Sequence, residues 1–276
     1  MAEGAEDMQT YAEKYNENYL KQGDINTLNL PPLEDGARRY VCGRAFLEIA
    51  PGAIVNLGIG LPEGIAMIAR EKGQLDRITL TVESGPIGGL PESGLSFGAA
   101  HYPQAVIDQP YMFDFYNGGG LDIAFLGMAE VDRQGNVNVS KFSGRIAGIG
   151  GFVDITQTAR ILVLAGTFTA GGLAVAFRDG KLQIDSEGKF DKFVDAVEHV
   201  TFSGEYAMKR GQKVFYITER AVFVLTPRGL LLTEIAPGID LQKDILDHMA
   251  FKPEIADQLK LMPNSIFAAT NGEERI

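Results

Sequence analysis

The sequence holds one cysteine and three histidines, and no apolar run reaches the roughly 18 residues that a membrane-crossing helix needs. Each shortage excludes something. The single thiol, Cys42, forms no internal disulfide and suits a reducing compartment. So few Cys and His side chains leave little for a zinc site, and no metal is expected. The acidic, polar opening MAEGAEDMQTYAEKYNEN matches neither a signal peptide nor a membrane anchor. Basic charge is also short: 25 Lys+Arg stand against 36 Asp+Glu, a net charge of −11, which argues against nucleic acid as a partner. These features lead to the expectation of a soluble, cytoplasmic, acidic protein.

Glycine is what the chain has in abundance. Its 33 glycines among 276 residues exceed the usual share of about 7%. They cluster at the ends of apolar runs, where tight turns and close backbone approach are needed. The length suits about two domains or one large α/β domain, enough to bury a core without staples.

Residues 1–36 read as an extended polar tail or linker, ending in NLPPLEDG, and 37–276 as the folded domain. A helix is expected from Ala37 to about Ala50, stopped at Pro51-Gly52. The strand AIVNLGIG follows, then the helix PEGIAMIAREKG opened by Pro62, then the strand ITLTVE at 78–83. This β-α-β order implies a parallel sheet. Further strands are expected at 122–127, 135–139 and 161–165, a hairpin turning at Asp179-Gly180, three strands within 213–235 and a last helix at 240–248. The fold class is therefore α/β, with a mostly parallel mixed sheet flanked by helices, and there is no internal repeat.

Several motifs bear on chemistry. GIGLPEG (58–64) follows a strand and opens a helix, as a dinucleotide-binding turn does, with Glu83 where the ribose acid sits. Its spacing is one residue too long, so a plain βα turn fits as well. GLSFG (94–98) spells a nucleophile elbow around Ser96, but loop rather than strand precedes it. His101, His199 and His248 are scattered and read as structural or solvated. LTVESGPIGGLPESG (80–94) places the Glu83 carboxylate at the tip of a buried strand, with no histidine or metal beside it. Such a glutamate suits covalent catalysis by a carboxylate, and a solvated turn acid fits the same spacing.

Five runs together carry a resemblance: NLGIG (56–60), TVESGPIGG (81–89), FDFYNGGGLD (113–122), GNVNVSKF (135–142) and GIGGFVDITQTA (148–159). In this order they resemble the catalytic-glutamate half of class I CoA-transferases, of the propionate/acetate type that acts on short-chain acyl-CoAs. The resemblance implies a three-layer α/β/α fold of the NagB/RpiA/CoA-transferase kind. It implies Glu83 as nucleophile, with Asn56 and Gly151 as oxyanion donors. Coenzyme A is then a substrate, not a resident cofactor, and its contacts are expected at Gly118, Gly119, Gly120, Lys141, Arg145, Gly148 and Gly150. The family builds its site from two homologous halves, so an alpha subunit or N-terminal half is the expected partner, within a homo- or hetero-oligomer. Residues 9–36 resemble the linker of the fused type. Two further readings share the site: an acyl-CoA hydrolase, and a CoA-binding module inactive without its other half.

Overall fold

Consecutive residues such as Ala124–Phe125–Leu126 and Leu162–Val163–Leu164 are all buried, the pattern of strands covered on both faces. The computed structural model describes residues 7–267. Its ten-stranded sheet comprises β1 (Ile54–Leu57), β2 (Thr79–Thr81), β3 (Pro86–Ile87), β4 (Ala105–Val106) and β5 (Ile123–Gly127), followed by β6 (Ile161–Ala165), β7 (Lys213–Ile217), β8 (Ala221–Thr226), β9 (Gly229–Ile235) and β10 (Glu254–Leu261). The spatial order is β10-β9-β8-β7-β6-β5-β1-β2-β3-β4. The central strands β2, β1, β5, β6 and β7 are mutually parallel. Antiparallel strands flank them on both sides, and β10 joins β9 in parallel.

Helices α1 (Ala37–Phe46), α2 (Gly64–Glu71), α3 (Gln109–Asn117) and α4 (Phe152–Thr158) connect and cover these strands, giving the three-layer α/β/α arrangement. The expected β-α-β unit is present, with Pro62 in a 3-10 turn at Leu61–Glu63 that leads into α2. The Asp179-Gly180 hairpin forms between Ala174–Arg178 and Lys181–Ser186. Both turn residues have positive φ, 52° and 74°, as a two-residue hairpin turn requires.

Some elements differ from expectation. The first helix ends at Phe46, with Leu47 as its C-cap. The 135–139 strand shrinks to Val137–Asn138, paired with Glu130–Val131. The segment 240–248 is not an α-helix. A π turn at Leu241–Ile245 gives way to a 3-10 turn at Leu246–His248. The Asp240 carboxylate caps its start by accepting from Lys243 N at 2.7 Å, and the wide turn keeps Ile245 buried.

Residues 7–36 contain two 3-10 turns, Glu17–Tyr19 and Ile25–Thr27, and otherwise run extended along the domain. They are docked at several points. Arg70 donates to the carbonyls of Leu28 and Leu30, both at 3.1 Å, Tyr102 N donates to Asn18 O at 2.7 Å, and Tyr19 is buried.

Candidate active site

Strand β2 ends at Thr81, and the chain then turns sharply through Glu83 and Ser84. Gly85 makes that turn possible. Its φ is +128°, and a Cβ there would collide with the carbonyl oxygen of Ile107, so no other residue fits. The Glu83 carboxylate thus stands half-buried at the carboxyl end of a parallel strand, where α/β folds place ligands.

Gly151, the residue before α4, approaches this carboxylate directly. A Cβ on Gly151 would lie 2.5 Å from Glu83 Oε2 and 2.8 Å from Phe113 Cζ, so the glycine backbone stands directly against the carboxylate. Burial raises the Glu83 carboxyl above its ordinary value of 4.5; the Gly151 hydrogen bond opposes that rise and the nearby Asp154 charge adds to it. The group is therefore a desolvated carboxylate steadied by one backbone donor.

Asn56 lies fully buried in β1. Its Nδ2 donates to Tyr116 OH at 3.2 Å and reaches Thr81 O at 3.5 Å. The Tyr116 hydroxyl donates in turn to Thr81 Oγ1 at 3.0 Å, which donates to Val55 O at 3.0 Å. Burial pushes the Tyr116 hydroxyl up to about 12, with the Glu83 charge a smaller contributor. Asn56 Oδ1 has no hydrogen-bond partner among the described residues. In this state the Asn56 amide therefore braces β2 two residues before Glu83.

The other expected contacts fall into two groups. Lys141 and Arg145 lie on the short hairpin Lys141–Phe142/Arg145–Ile146, which leads into the glycine loop ending at Gly151. Gly148 and Gly150 in that loop have φ of +89° and +51°. Glu198 holds the hairpin tip, its carboxylate accepting from Ser143 N at 2.6 Å and Gly144 N at 3.1 Å. Gly118, Gly119 and Gly120 are placed elsewhere. They close α3 by donating to the carbonyls of Asp114, Tyr116 and Phe115, and lead to the amino ends of the strands, away from Glu83.

The weaker motifs resolve as structure. Ser96 is buried and hydrogen-bonds Thr10 Oγ1 at 2.9 Å. His101 pairs with Glu92, His199 hydrogen-bonds Ser140 at 2.8 Å, and His248 faces Glu187 and Asp191. Among the described residues no cluster of three or more His, Cys, Asp or Glu side chains fits a metal ion, and no helix is long and apolar enough to cross a membrane. Tyr116, Phe113 and Asp154 were not singled out from the sequence. The signal was there in part: Phe113 and Tyr116 are one helical turn apart, so they share a face.

A half-buried carboxylate at a strand tip, a glycine packed against it and a glycine loop preceded by the Lys141/Arg145 hairpin make up the candidate site. No family model matches the chain. Known proteins do. The chain is 50% identical over 244 residues to acetate CoA-transferase YdiF of Escherichia coli K12, covering 88% of this chain and 45% of that protein. It is 46% identical over 249 residues to caffeate CoA-transferase of Acetobacterium woodii, covering 88% and 47%. The crystal structure of YdiF from E. coli O157:H7, a thioester complex with CoA, superposes with a TM-score of 0.79 at 48% identity, over 88% of this chain and 46% of that one. The chain thus spans about half the length of these relatives. It also aligns with the acetate CoA-transferase subunit beta of E. coli K12, at 28% identity over 215 residues, covering 74% of this chain and 88% of that subunit. The chain belongs to the class I CoA-transferase family, in the portion that other members carry as a separate beta subunit.

Proposed function

We propose that this chain is the catalytic-glutamate half of a CoA-transferase that moves CoA between a short-chain acyl-CoA and a carboxylic acid. The observation that carries the proposal is the Glu83 carboxylate, desolvated and fixed by the Gly151 N–H in a chain half-identical to an acetate CoA-transferase.

The steps balance without an added reagent. The Glu83 carboxylate attacks the thioester carbonyl, the tetrahedral intermediate collapses, and CoA leaves as thiolate with an acyl-glutamyl anhydride behind it. The thiolate attacks the Glu83 carbonyl of that anhydride and releases the first carboxylate, giving a glutamyl-CoA thioester. The acceptor acid then runs the two steps in reverse. A carboxylate is a weak nucleophile, so positioning matters; effective molarity supplies about 7–11 kcal/mol in well-oriented cases. The Gly151 N–H is the first oxyanion donor, worth about 2.7–4 kcal/mol by comparison with measured donors. Asn56 serves as the second when its amide turns from Tyr116 toward the site. Both covalent intermediates hydrolyse readily, so the loop 85–94 and a partner surface must exclude water.

Lys141 and Arg145 take the CoA phosphates. Arg145 is exposed and without an ion pair among the described residues, whereas the Lys141 charge is shared with Glu198. The partner is a homologous alpha subunit or N-terminal half. Ile59, Leu95, Ile146 and Ile149, all apolar and exposed, come from the three loops around Glu83, and such a patch marks a contact face. Gly118, Gly119 and Gly120 are assigned to closing α3 rather than to CoA.

The test is reconstitution. Mixing the chain with a homologous alpha half should give CoA transfer from acetyl-CoA to propionate, abolished by Glu83→Gln. Transfer at an undiminished rate by that variant contradicts the proposal.

A further inference from the structure

Beneath Glu83 four polar groups stand in one line. Val55 O is met by Thr81 Oγ1 at 3.0 Å, Thr81 Oγ1 by Tyr116 OH at 3.0 Å, and Tyr116 OH by Asn56 Nδ2 at 3.2 Å. Asn56 and Tyr116 are fully buried and Thr81 nearly so, so bulk water does not reach these contacts. The line joins strands β1 and β2 to helix α3.

The direction of the line is fixed by counting protons. A backbone carbonyl only accepts, and each hydroxyl has one proton to give. Thr81 therefore donates to Val55 O, and Tyr116 must donate to Thr81. Only a donor then fits against the Tyr116 oxygen, and that donor is the NH2 end of the Asn56 amide. Placing Asn56 Oδ1 there instead would take the Tyr116 proton from Thr81. Either Val55 O would lose the Thr81 proton, or two oxygens would stand 3.0 Å apart with no proton between them. Both alternatives cost a hydrogen bond in a buried place.

The direction bears on chemistry because of where the line lies. The NH2 end of Asn56 also comes within 3.5 Å of Thr81 O, on the side of β2, the strand that runs on to Glu83. The Tyr116 hydroxyl feels the Glu83 charge. The end of the amide on this side is the end that swings toward a carbonyl under attack by Glu83. A donor there stabilises the oxyanion, whereas an amide oxygen there would repel it.

We propose that Thr81 and Tyr116 are positioning residues for the transfer reaction: their one-way line of hydrogen bonds sets the Asn56 amide with its NH2 end toward the strand of Glu83, so that the oxyanion meets a donor. The proposal rests on the transferase reading of Glu83. Neither hydroxyl touches the reacting atoms, and both act through Asn56.

Thr81→Val is the decisive substitution, because it keeps the shape of the side chain and removes the hydroxyl. Tyr116 then has no acceptor on β2, gives its proton to Asn56 Oδ1 and turns the amide over. The experiment measures kcat and KM for CoA transfer with a homologous alpha half. On the 15N-labelled chain alone, it also records the NOE between the Asn56 side-chain NH2 protons and the Tyr116 ring. The unaltered chain should show the NOE. Thr81→Val should lose it, with kcat about 10²-fold lower, as for one lost oxyanion donor, and KM within about twofold. Thr81→Ser, which keeps the hydroxyl, should recover the NOE and most of the rate. Tyr116→Phe should also lower kcat with little change in KM.

An NOE absent from the unaltered chain overturns the proposal, as does a Thr81→Ser variant as slow as Thr81→Val. The NOE needs no substitution, and Tyr116→Phe gives an independent reading, so the test survives a Thr81→Val chain that fails to fold. Glu83→Gln is run alongside. Transfer that persists in Glu83→Gln overturns the transferase reading; transfer lost there but undiminished in Thr81→Val and Tyr116→Phe overturns this proposal alone.

Discussion

Gly151 packs directly against the carboxylate of Glu83, and there is no room for a side chain between them. A Cβ at residue 151 would stand 2.5 Å from Glu83 Oε2. Gly151→Ala should therefore push Glu83 out of position while leaving the sheet intact. Misplacing a reacting group by about 1 Å costs about 10²-fold, and a loss of that order in kcat is expected with the circular dichroism spectrum unchanged. Activity within a factor of two of the unaltered chain, measured with a partner half, would contradict this role for the glycine.

Glu83 should be a cost to the fold. Its carboxyl is raised above 4.5 mainly by burial, so it favours the folded state when protonated, below its unfolded pKa, and loses that contribution as pH rises through the folded pKa. Glu83→Gln removes the buried charge. The melting temperature of that variant, relative to the unaltered chain, should rise between pH 4 and pH 8. A difference that stays flat or falls over that range would show that Glu83 pays no desolvation penalty.

Tyr116→Phe deletes the hydroxyl that accepts from Asn56 and donates to Thr81. The Asn56 amide then keeps only its 3.5 Å contact to Thr81 O. An unsatisfied buried polar group costs about 1–3 kcal/mol, and urea unfolding should report a loss in that range. A loss near zero would mean that water or a rotated amide replaces the hydroxyl.

Arg145→Glu should raise KM for acyl-CoA with little change in kcat, because it acts on phosphates remote from the reacting bond. The effect should shrink at high salt, since exposed charges are screened within about 8 Å at physiological ionic strength. An equal fall in kcat at every salt concentration would place Arg145 in the chemistry instead.

The central sheet was legible because its residues speak unambiguously. ILVLA at 161–165 and the three runs within 213–235 are β-branched or leucine-rich and bounded by turns, and they form β6 to β9 almost as expected. Two kinds of segment were not legible. Helices α3 and α4 have nine and seven residues, too short for helical periodicity to emerge from FDFYN or FVDITQT. Edge strand β10, EIADQLKL, is amphipathic and half exposed, so its pattern does not separate strand from helix. At the site, the resemblance brought Glu83 and Gly151 together as an expectation, and the structure sets them side by side. The bracing of Asn56 by Tyr116 was not legible, because it joins residues 60 positions apart, one in β1 and one in α3, that only the packing of helix on sheet brings together.

The most direct test of the account is the mass of the chain after incubation with acetyl-CoA, without and with a homologous alpha half, followed by peptide mapping. The account predicts an adduct of CoA mass on the peptide that contains Glu83, present in the active mixture and absent from Glu83→Gln. CoA transfer that proceeds with the adduct on another residue, or that persists in Glu83→Gln, would contradict it.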